Sequence, residues 1–478
     1  MKDKIKSLFL SNKGKRIKES IIDAINDYKM ASMIESGVLV GFSGGADSVI
    51  LLSFLAYYSE WCKKFPVVAV HIDHSIRGEE SDRDAKFSKR FCEELGIEFY
   101  CRKIDIPRLA AESKKGIEEC ARDYRYSEFR NIISGRNDIS TICVAHNADD
   151  NLETLLMNLF RGAGAKGLAG IPPIRDNIAR PLLYVRKEDI VSALNESEIE
   201  FVFDSTNLCN DYKRNRIRNE LLPKIREISS QPEIMASRAS KNLRLDDEYI
   251  TSVAADFLKS RDCVRNHELN VLHEAVFIRV LQIFTNVSLS SVNAREIKKL
   301  LSEDNFSYSL PEGRRFVAEY GVCRVVDDKT RASCDFTTKL TIGCNFFDEY
   351  DSDVVLSPTK MDDSFLNIYK FSIQVNLSSA IISGDLYLRP KKDGDTIKYG
   401  NITHKLKKLF NDRKIPPTLR PFIPVICDDK GVVCVPGFGV RDDNVDKCDR
   451  KDLYLSLCIG KGEEFKNNRF YCGNEFNK

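Results

Sequence analysis

No two of the chain's 15 cysteines fall in a CxxC spacing, so a zinc ribbon or a thiolate-held cluster has little support. No apolar run approaches the ~20 residues that a membrane helix needs, and no membrane association is expected. The basic opening stretch, Met1 to Arg16, has an apolar patch of only Leu8, Phe9 and Leu10, too short for a signal peptide. Scattered thiols without a leader fit a cytoplasmic protein with reduced cysteines. Surplus charge is missing too. A net charge of +2 neither indicates nor excludes nucleic acid, and local basic clusters carry that question. Internal repeats and low-complexity tracts are absent.

What is present is a soluble, globular composition, 42% hydrophobic and 30% charged over 478 residues. That length predicts two to four domains. The stretch from Val38 to Leu52 organises the rest. Val38, Leu39 and Val40 read as a buried strand, and Val49 to Leu52 opens an apolar helix. Ser43, Gly44, Gly45, Ala46, Asp47 and Ser48 lie between them. A strand turning through glycines into a helix leaves backbone N–H groups unpaired at a positive dipole end. Such a turn cradles an anion, usually phosphate. The Walker pattern needs a Lys that is missing here. An acid, Asp47, sits in the cradle instead, which makes sense if a divalent cation lies between it and phosphates. An ordinary βα turn is the bland alternative for Gly-Gly alone. The full SGGADS run between two apolar segments resembles the loop of the PP-loop, or N-type, ATP pyrophosphatases. That resemblance implies ATP as substrate, Mg²⁺ with Asp47 as its ligand, and cleavage between the α and β phosphates.

Further along, Pro66 to Ile72 reads as a second strand ending in Asp73 and His74. Ligands of parallel sheets sit beyond the carboxyl ends of strands, so His71, Asp73, His74 and Arg77 are placed to face a nucleotide. A polar loop with satisfied hydrogen bonds explains any one of them equally well. Ser81 is read as the cap of the next helix. Arg122 and Arg125, three apart on the helix Ile117 to Ile132, project from one side. Paired guanidiniums suit phosphate or nucleic acid. After a fourth strand, Ile139 to Ala145, come His146, Asn147, Ala148, Asp149, Asp150 and, one turn on, Glu153. Asp149 or Asp150 is expected to start a helix. The acids crowd one helical face, where a metal or a substrate ammonium would relieve them; acids that complement the helix dipole are the common alternative. Arg161 to Gly170 is a glycine-rich, basic loop, a candidate lid over phosphates or a surface for RNA. Phe201 to Phe203 reads as a short strand.

HNADDNLET, RGAGAKGLAG, RPLL, DSTN and RNRIR occur in this order, and the series resembles the tRNA(Ile)-lysidine synthases over about the first 220 residues. The resemblance implies that ATP adenylates the C2 oxygen of the first anticodon cytidine of a tRNA(Ile) with a CAU anticodon. Free L-lysine then displaces AMP, changing codon reading from AUG to AUA. By the same resemblance, Ser43 to Ser48 bind ATP with His71 and Asp73, and Asp47, Arg122, Arg125 and His146 are catalytic. Asp150 and Glu153 hold the lysine, and Arg161, Asn215 and Arg218 belong to the substrate site. The expected architecture is α/β: a parallel-sheet PP-loop domain over 1–220, a mainly helical domain with a small β portion over 221–375, and an α+β tRNA-binding domain over 376–478. In the last of these, Lys405, Lys407, Lys408, Arg413, Lys414 and Arg420 form a basic patch with interleaved apolar residues. A solvated face is its default reading; beside a tRNA-modifying domain, Lys407 and Lys408 are assigned to tRNA phosphates.

Two rivals follow from the same residues. A tRNA 2-thiolating PP-loop enzyme would want the missing CxxC pair. A non-catalytic tRNA-binding protein would not need SGGADS together with His146, Asp150 and Glu153. A homodimer is a common oligomer, but no stretch identifies an interface.

Overall fold

In the computed structural model the described residues are 1–74, 79–114, 116–203, 213–261, 263–327, 337–347, 352–360, 371–378, 381–442 and 452–459. The motif DSTN, Arg77 and the polar tail from Gly462 lie outside them. The chain divides into two compact units, Met1–Tyr249 and Ile250–Lys478.

In the first unit, α1 (Lys2–Leu10), α2 (Asn12–Asp27) and α3 (Ala31–Glu35) precede β1 (Val38–Gly41) and α4 (Ala46–Trp61). Then come β2 (Val67–Asp73), α5 (Glu79–Leu95), β3 (Glu98–Lys103), α6 (Ile106–Ser113), α7 (Ile117–Ser134) and β4 (Thr141–Cys143). α8 (Ala148–Phe160), α9 (Ala165–Leu168), β5 (Ile174–Arg175), β6 (Ile178–Ala179) and α10 (Lys187–Glu196) follow. A turn of helix, α11 (Lys213–Arg216), passes into a π-helical stretch (Ile217–Leu221), α12 (Leu222–Ile228) and α13 (Pro232–Lys259).

The sheet has the order β3-β2-β1-β4-β6-β5. Its first five strands are parallel and β5 is an antiparallel edge. Alternation along β1 separates two cores. Val38 and Val40 pack with α1, α2 and α4, whereas Leu39 packs with Val68, Val70 and Phe129 of α7 on the other face. α4 is buried from Val49 through Leu55 without a polar stripe, as a helix inside a layer must be. The chain steps outward from β1 to β3 and returns to β4 on the far side of β1. The crevice at the carboxyl ends of β1 and β4 is therefore the switch point where doubly wound sheets bind ligands.

α5 begins at Glu79, so Ser81 lies inside its first turn and does not cap it. α8 starts at Ala148 with Asn147 as its cap, because Asn147 and Asp150 satisfy each other's backbone N–H groups. Of Phe201 to Phe203, only Val202 pairs, in a single bridge to Gly45. The glycine-rich segment contains the short helix α9.

The second unit takes in the last turns of α13, followed by helices Asn266–Asn270, Glu274–Thr285 and Ser291–Leu300. Phe277 and Val280 face its core, whereas Ile283, on the same helix, is exposed. Strands Phe306–Ser309, Arg314–Glu319 and Val322–Asp327 make an antiparallel sheet with Val264–Arg265. Beyond them, a five-stranded and a four-stranded antiparallel sheet enclose Leu356, Leu388, Ile426, Val433 and Leu455. Helix Leu406–Asp412 packs Leu406 and Phe410 against Val425 and Val435. This leaves Lys407 and Lys408 exposed on its outer side.

Candidate active site

Gly44 shapes the loop after β1. Its φ is +84°, and a Cβ there would lie 3.1 Å from Phe87 and 3.3 Å from both Ser88 and Val202. Only glycine takes that backbone without strain. Gly45 has an extended φ of −72°, so its requirement is weaker. It caps α4 without a side-chain bond, and the first N–H groups of the helix stay available to an anion. Ser48 Oγ donates to the Gly45 carbonyl at 2.9 Å and lies 3.2 Å from Ser43 Oγ.

A cavity of about 430 Å³ opens on this loop. It brings together Ser43, Gly45, Asp47 and Ser48 with His71 and Asp73 from β2, Arg122 and Arg125 from α7, and His146 after β4. Arg122 and Arg125 thus do share a side, and Arg125 reaches His74 Nε2 at 3.0 Å. The buried His71 has Nδ1 3.0 Å from the Phe42 carbonyl; as a neutral ring it donates there and keeps an acceptor at Nε2. Burial also lowers its pKa.

Asp47 is tied to the acidic segment. Asn147 Nδ2 donates to Asp47 Oδ1 at 2.8 Å. The same Asn147 accepts from Asp150 N at 3.0 Å, and Asp150 Oδ2 accepts from Asn147 N at 3.1 Å. Burial, and then the nearby Asp150 charge, push the Asp47 carboxyl up to about 6. Asp47 Oδ2 accepts no hydrogen bond from a described residue. A half-buried carboxylate with a free oxygen beside a phosphate cradle suits Mg²⁺, which binds through one or two carboxylates and substrate phosphates. Among the described residues no cluster of three or more His, Cys, Asp or Glu could hold a metal alone.

The acids of α8 divide between two neighbourhoods. Asp149 turns away, accepting from Lys187 N at 2.8 Å and Arg226 Nη2 at 2.7 Å. Asp150 and the fully buried Glu153 share two guanidiniums. Arg214 Nε and Arg218 Nε each donate to Glu153 at 2.6 Å, and their Nη2 atoms reach Asp150 at 2.9 and 3.2 Å. Burial alone would raise the Asp150 pKa, but the Arg214 and Arg218 guanidiniums outweigh it and the net shift is downward. The cation that the crowded acids call for is therefore supplied by the chain itself.

Gly44, Ala46, Asp150, Glu153, Arg161, Asn215 and Arg218 do not line the cavity. Arg161 is exposed at the end of α8. Lys407 and Lys408 belong to the second unit. Residues that the sequence reading passed over include Asn147, Arg180 and Arg214. Asn147 three before an acid is a legible cap signal. Arg180 and Arg214 sat inside RPLL and RNRIR without a role.

Comparison with known proteins matches a PP-loop domain to residues 15–225 and a TilS substrate C-terminal domain to residues 386–457. A curated tRNA(Ile)-lysidine synthase from Clostridium tetani is 30% identical over 445 residues, covering 88% of this chain and 94% of that protein. Its counterpart from Clostridioides difficile is also 30% identical, covering 89% and 96%. Among solved structures, the U34-tRNA thiolase NcsA from Methanococcus maripaludis is 19% identical with a TM-score of 0.38, covering 48% of this chain and 78% of that one.

Proposed function

We propose, from the premise that this chain belongs to the tRNA(Ile)-lysidine synthase family, that the cavity over the Ser43–Ser48 loop is where a tRNA cytidine is adenylated and joined to lysine. The chain is an ATP-consuming ligase of tRNA(Ile), with ATP entering through its PP-loop domain. The rest is our reading of the site. The observation that carries it is the Asn147 link, which ties the phosphate loop's Asp47 to the cap of the acid-bearing helix.

In this reading the helix N-terminus, Ser43 and Ser48 bind the polyphosphate, and His71 and Asp73 border the nucleotide. Arg122 and Arg125 face the reacting phosphate and offset its growing charge. Asp47 would hold Mg²⁺, which would supply Lewis-acid polarisation of the phosphates. The cytidine is splayed from the anticodon loop, as single-stranded recognition requires. Its C2 oxygen displaces pyrophosphate from the α-phosphorus. The lysine ε-ammonium passes a proton to the Asp150 or Glu153 carboxylate, and the free amine then attacks C2, forming the C2–N bond as the C2–O bond breaks and AMP leaves. Asp150 and Glu153 offer the acids for the lysine, which would enter by exchange with Arg214 or Arg218. Lys407 and Lys408 contact tRNA phosphates. The absence of a membrane-length apolar helix among the described residues is compatible with a cytoplasmic enzyme. A homodimer is the oligomer to test first.

Incubation with ATP, labelled lysine and tRNA tests the assignment. Label in tRNA with stoichiometric AMP is the expected result. ATP consumption that depends on a sulfur donor would instead mark a thiolase, and no turnover would mark a binder.

A further inference from the structure

We propose that Arg180 is a positioning residue that fixes the His146 imidazole as the Nε2–H tautomer, so that the ring offers the cavity a hydrogen-bond donor and not a base. The proposal rests on the ligase reading only for what the donor meets, a phosphate oxygen of the bound nucleotide.

Arg180 follows β6 and is 2% exposed. Its backbone N–H bonds the Pro173 carbonyl at 3.0 Å, and its Nη1 donates to the Pro172 carbonyl at 2.7 Å. Held at both ends, it directs Nε to His146 Nδ1 at 3.3 Å. A guanidinium has no acceptor and keeps its protons. The facing Nδ1 must therefore carry the lone pair, and a neutral ring then carries its proton on Nε2. No described residue takes that Nε2–H, and the ring lines the cavity beside Ser43, Asp47 and Arg122.

The charges around the ring keep it neutral. Burial opposes the imidazolium first. Asp150 of α8 favours it, whereas Arg180 behind β6, Arg214 of α11 and Arg122 of α7 oppose it, and the net shift is downward. His71 provides the contrast on the same cavity: its Nδ1 faces the Phe42 carbonyl, so its Nε2 is an acceptor. The two imidazoles are set to opposite hands by what stands behind each. A neutral imidazole N–H aimed at a charged oxygen stabilises it without giving up its proton. This also removes His146 from the list of groups that could deprotonate the incoming ammonium.

The full chain labelled with ¹⁵N-histidine tests the assignment. Only six histidines are present, and the His146 signals are identified by their loss in His146→Gln. In the wild type without substrates, Nδ1 should be unprotonated and Nε2 protonated, with no titration down to about pH 5.5. Arg180→Met should give mixed tautomers of a ring that burial still keeps neutral at pH 7. In parallel, tRNA- and ATP-dependent pyrophosphate release is measured. His146→Gln keeps a donor near the Nε2 position and should stay within about tenfold of wild type. His146→Ala should fall by ~10²–10³. The assignment is overturned by an Nδ1–H or cationic His146 at neutral pH, or by an unchanged tautomer in Arg180→Met. It is equally overturned if His146→Gln is as inactive as His146→Ala, since an amide cannot replace a base. The tautomer is read without substrate. A complete lack of lysine transfer with the tautomer intact would sink the ligase reading and leave Arg180's role standing.

Discussion

Asn147 and Asp47, one hundred positions apart in the chain, are joined by a 2.8 Å hydrogen bond, and Asn147 is also the cap of the helix that carries Asp150 and Glu153. Loss of one side chain should therefore be felt in two assays. Asn147→Ala removes the cap, at a cost of about 1 kcal/mol, and frees the loop acid. A fall of about 2–4 °C in melting temperature is expected by calorimetry, with a several-fold rise in the ATP KM for pyrophosphate release. A variant with the lower melting point but an unchanged KM would reduce Asn147 to a cap.

Asp47→Asn keeps the shape of the loop and removes its charge. Pyrophosphate release should drop by ~10² or more, with the melting temperature within a degree or two of wild type. Near-normal release would remove Asp47 from the cation site.

Glu153→Gln should leave ATP-dependent adenylation of tRNA measurable while raising the lysine KM. The variant also leaves Arg214 and Arg218 facing a weaker partner, so a loss of stability on the order of 3 kcal/mol, typical of a broken buried pair, is expected. Adenylated tRNA accumulating at low lysine, cleared at high lysine, is the signature. An unchanged lysine KM would move the amine site elsewhere.

Neutralising Lys407 and Lys408 together should weaken tRNA binding and lower the slope of log K against log salt by up to ~1.8, about 0.9 for each lost phosphate contact. Titration at four salt concentrations measures it. An unaltered slope would return the patch to solvated surface.

The second unit carries a pH prediction of definite sign. Asp428, with a fully buried side chain, takes both Arg441 Nη atoms, at 2.6 and 2.9 Å, and the N–H groups of Ser383 and Lys430. Burial works against its charge, but Arg441 and the two backbone donors win and its pKa is lowered. The ionised pair thus stabilises the unit above about pH 4, and that contribution fades as pH falls through the depressed value. Arg441→Met should be destabilised by ~3–5 kcal/mol near neutral pH, with the gap to wild type closing below about pH 4. A gap independent of pH would show that packing, not charge, is lost.

Much of the first unit could be read from the chain. Apolar runs marked β1, β2 and β4, and Gly44 with Asp47 marked the loop. Those signals are local, because backbone sterics and burial act on neighbours. What the sequence concealed were partners chosen by the fold. Nothing in Arg214 or Arg218 says that they close on Glu153, and Asp149 and Asp150, adjacent in sequence, point to different neighbourhoods. Ser81 looked like a cap because its type suits that place, yet α5 had already begun. The His146 tautomer was invisible for the same reason: it is set by a guanidinium 34 positions away.

Because two arginines already sit on Asp150 and Glu153, an arriving ammonium cannot gain the full attraction of two bare carboxylates. Its affinity is the difference between two cation contacts in one place, and such differences are small. If lysine is seated there by such a swap, its capture would be loose and fast-reversing, and the interior would hold no unbalanced negative charge between turnovers.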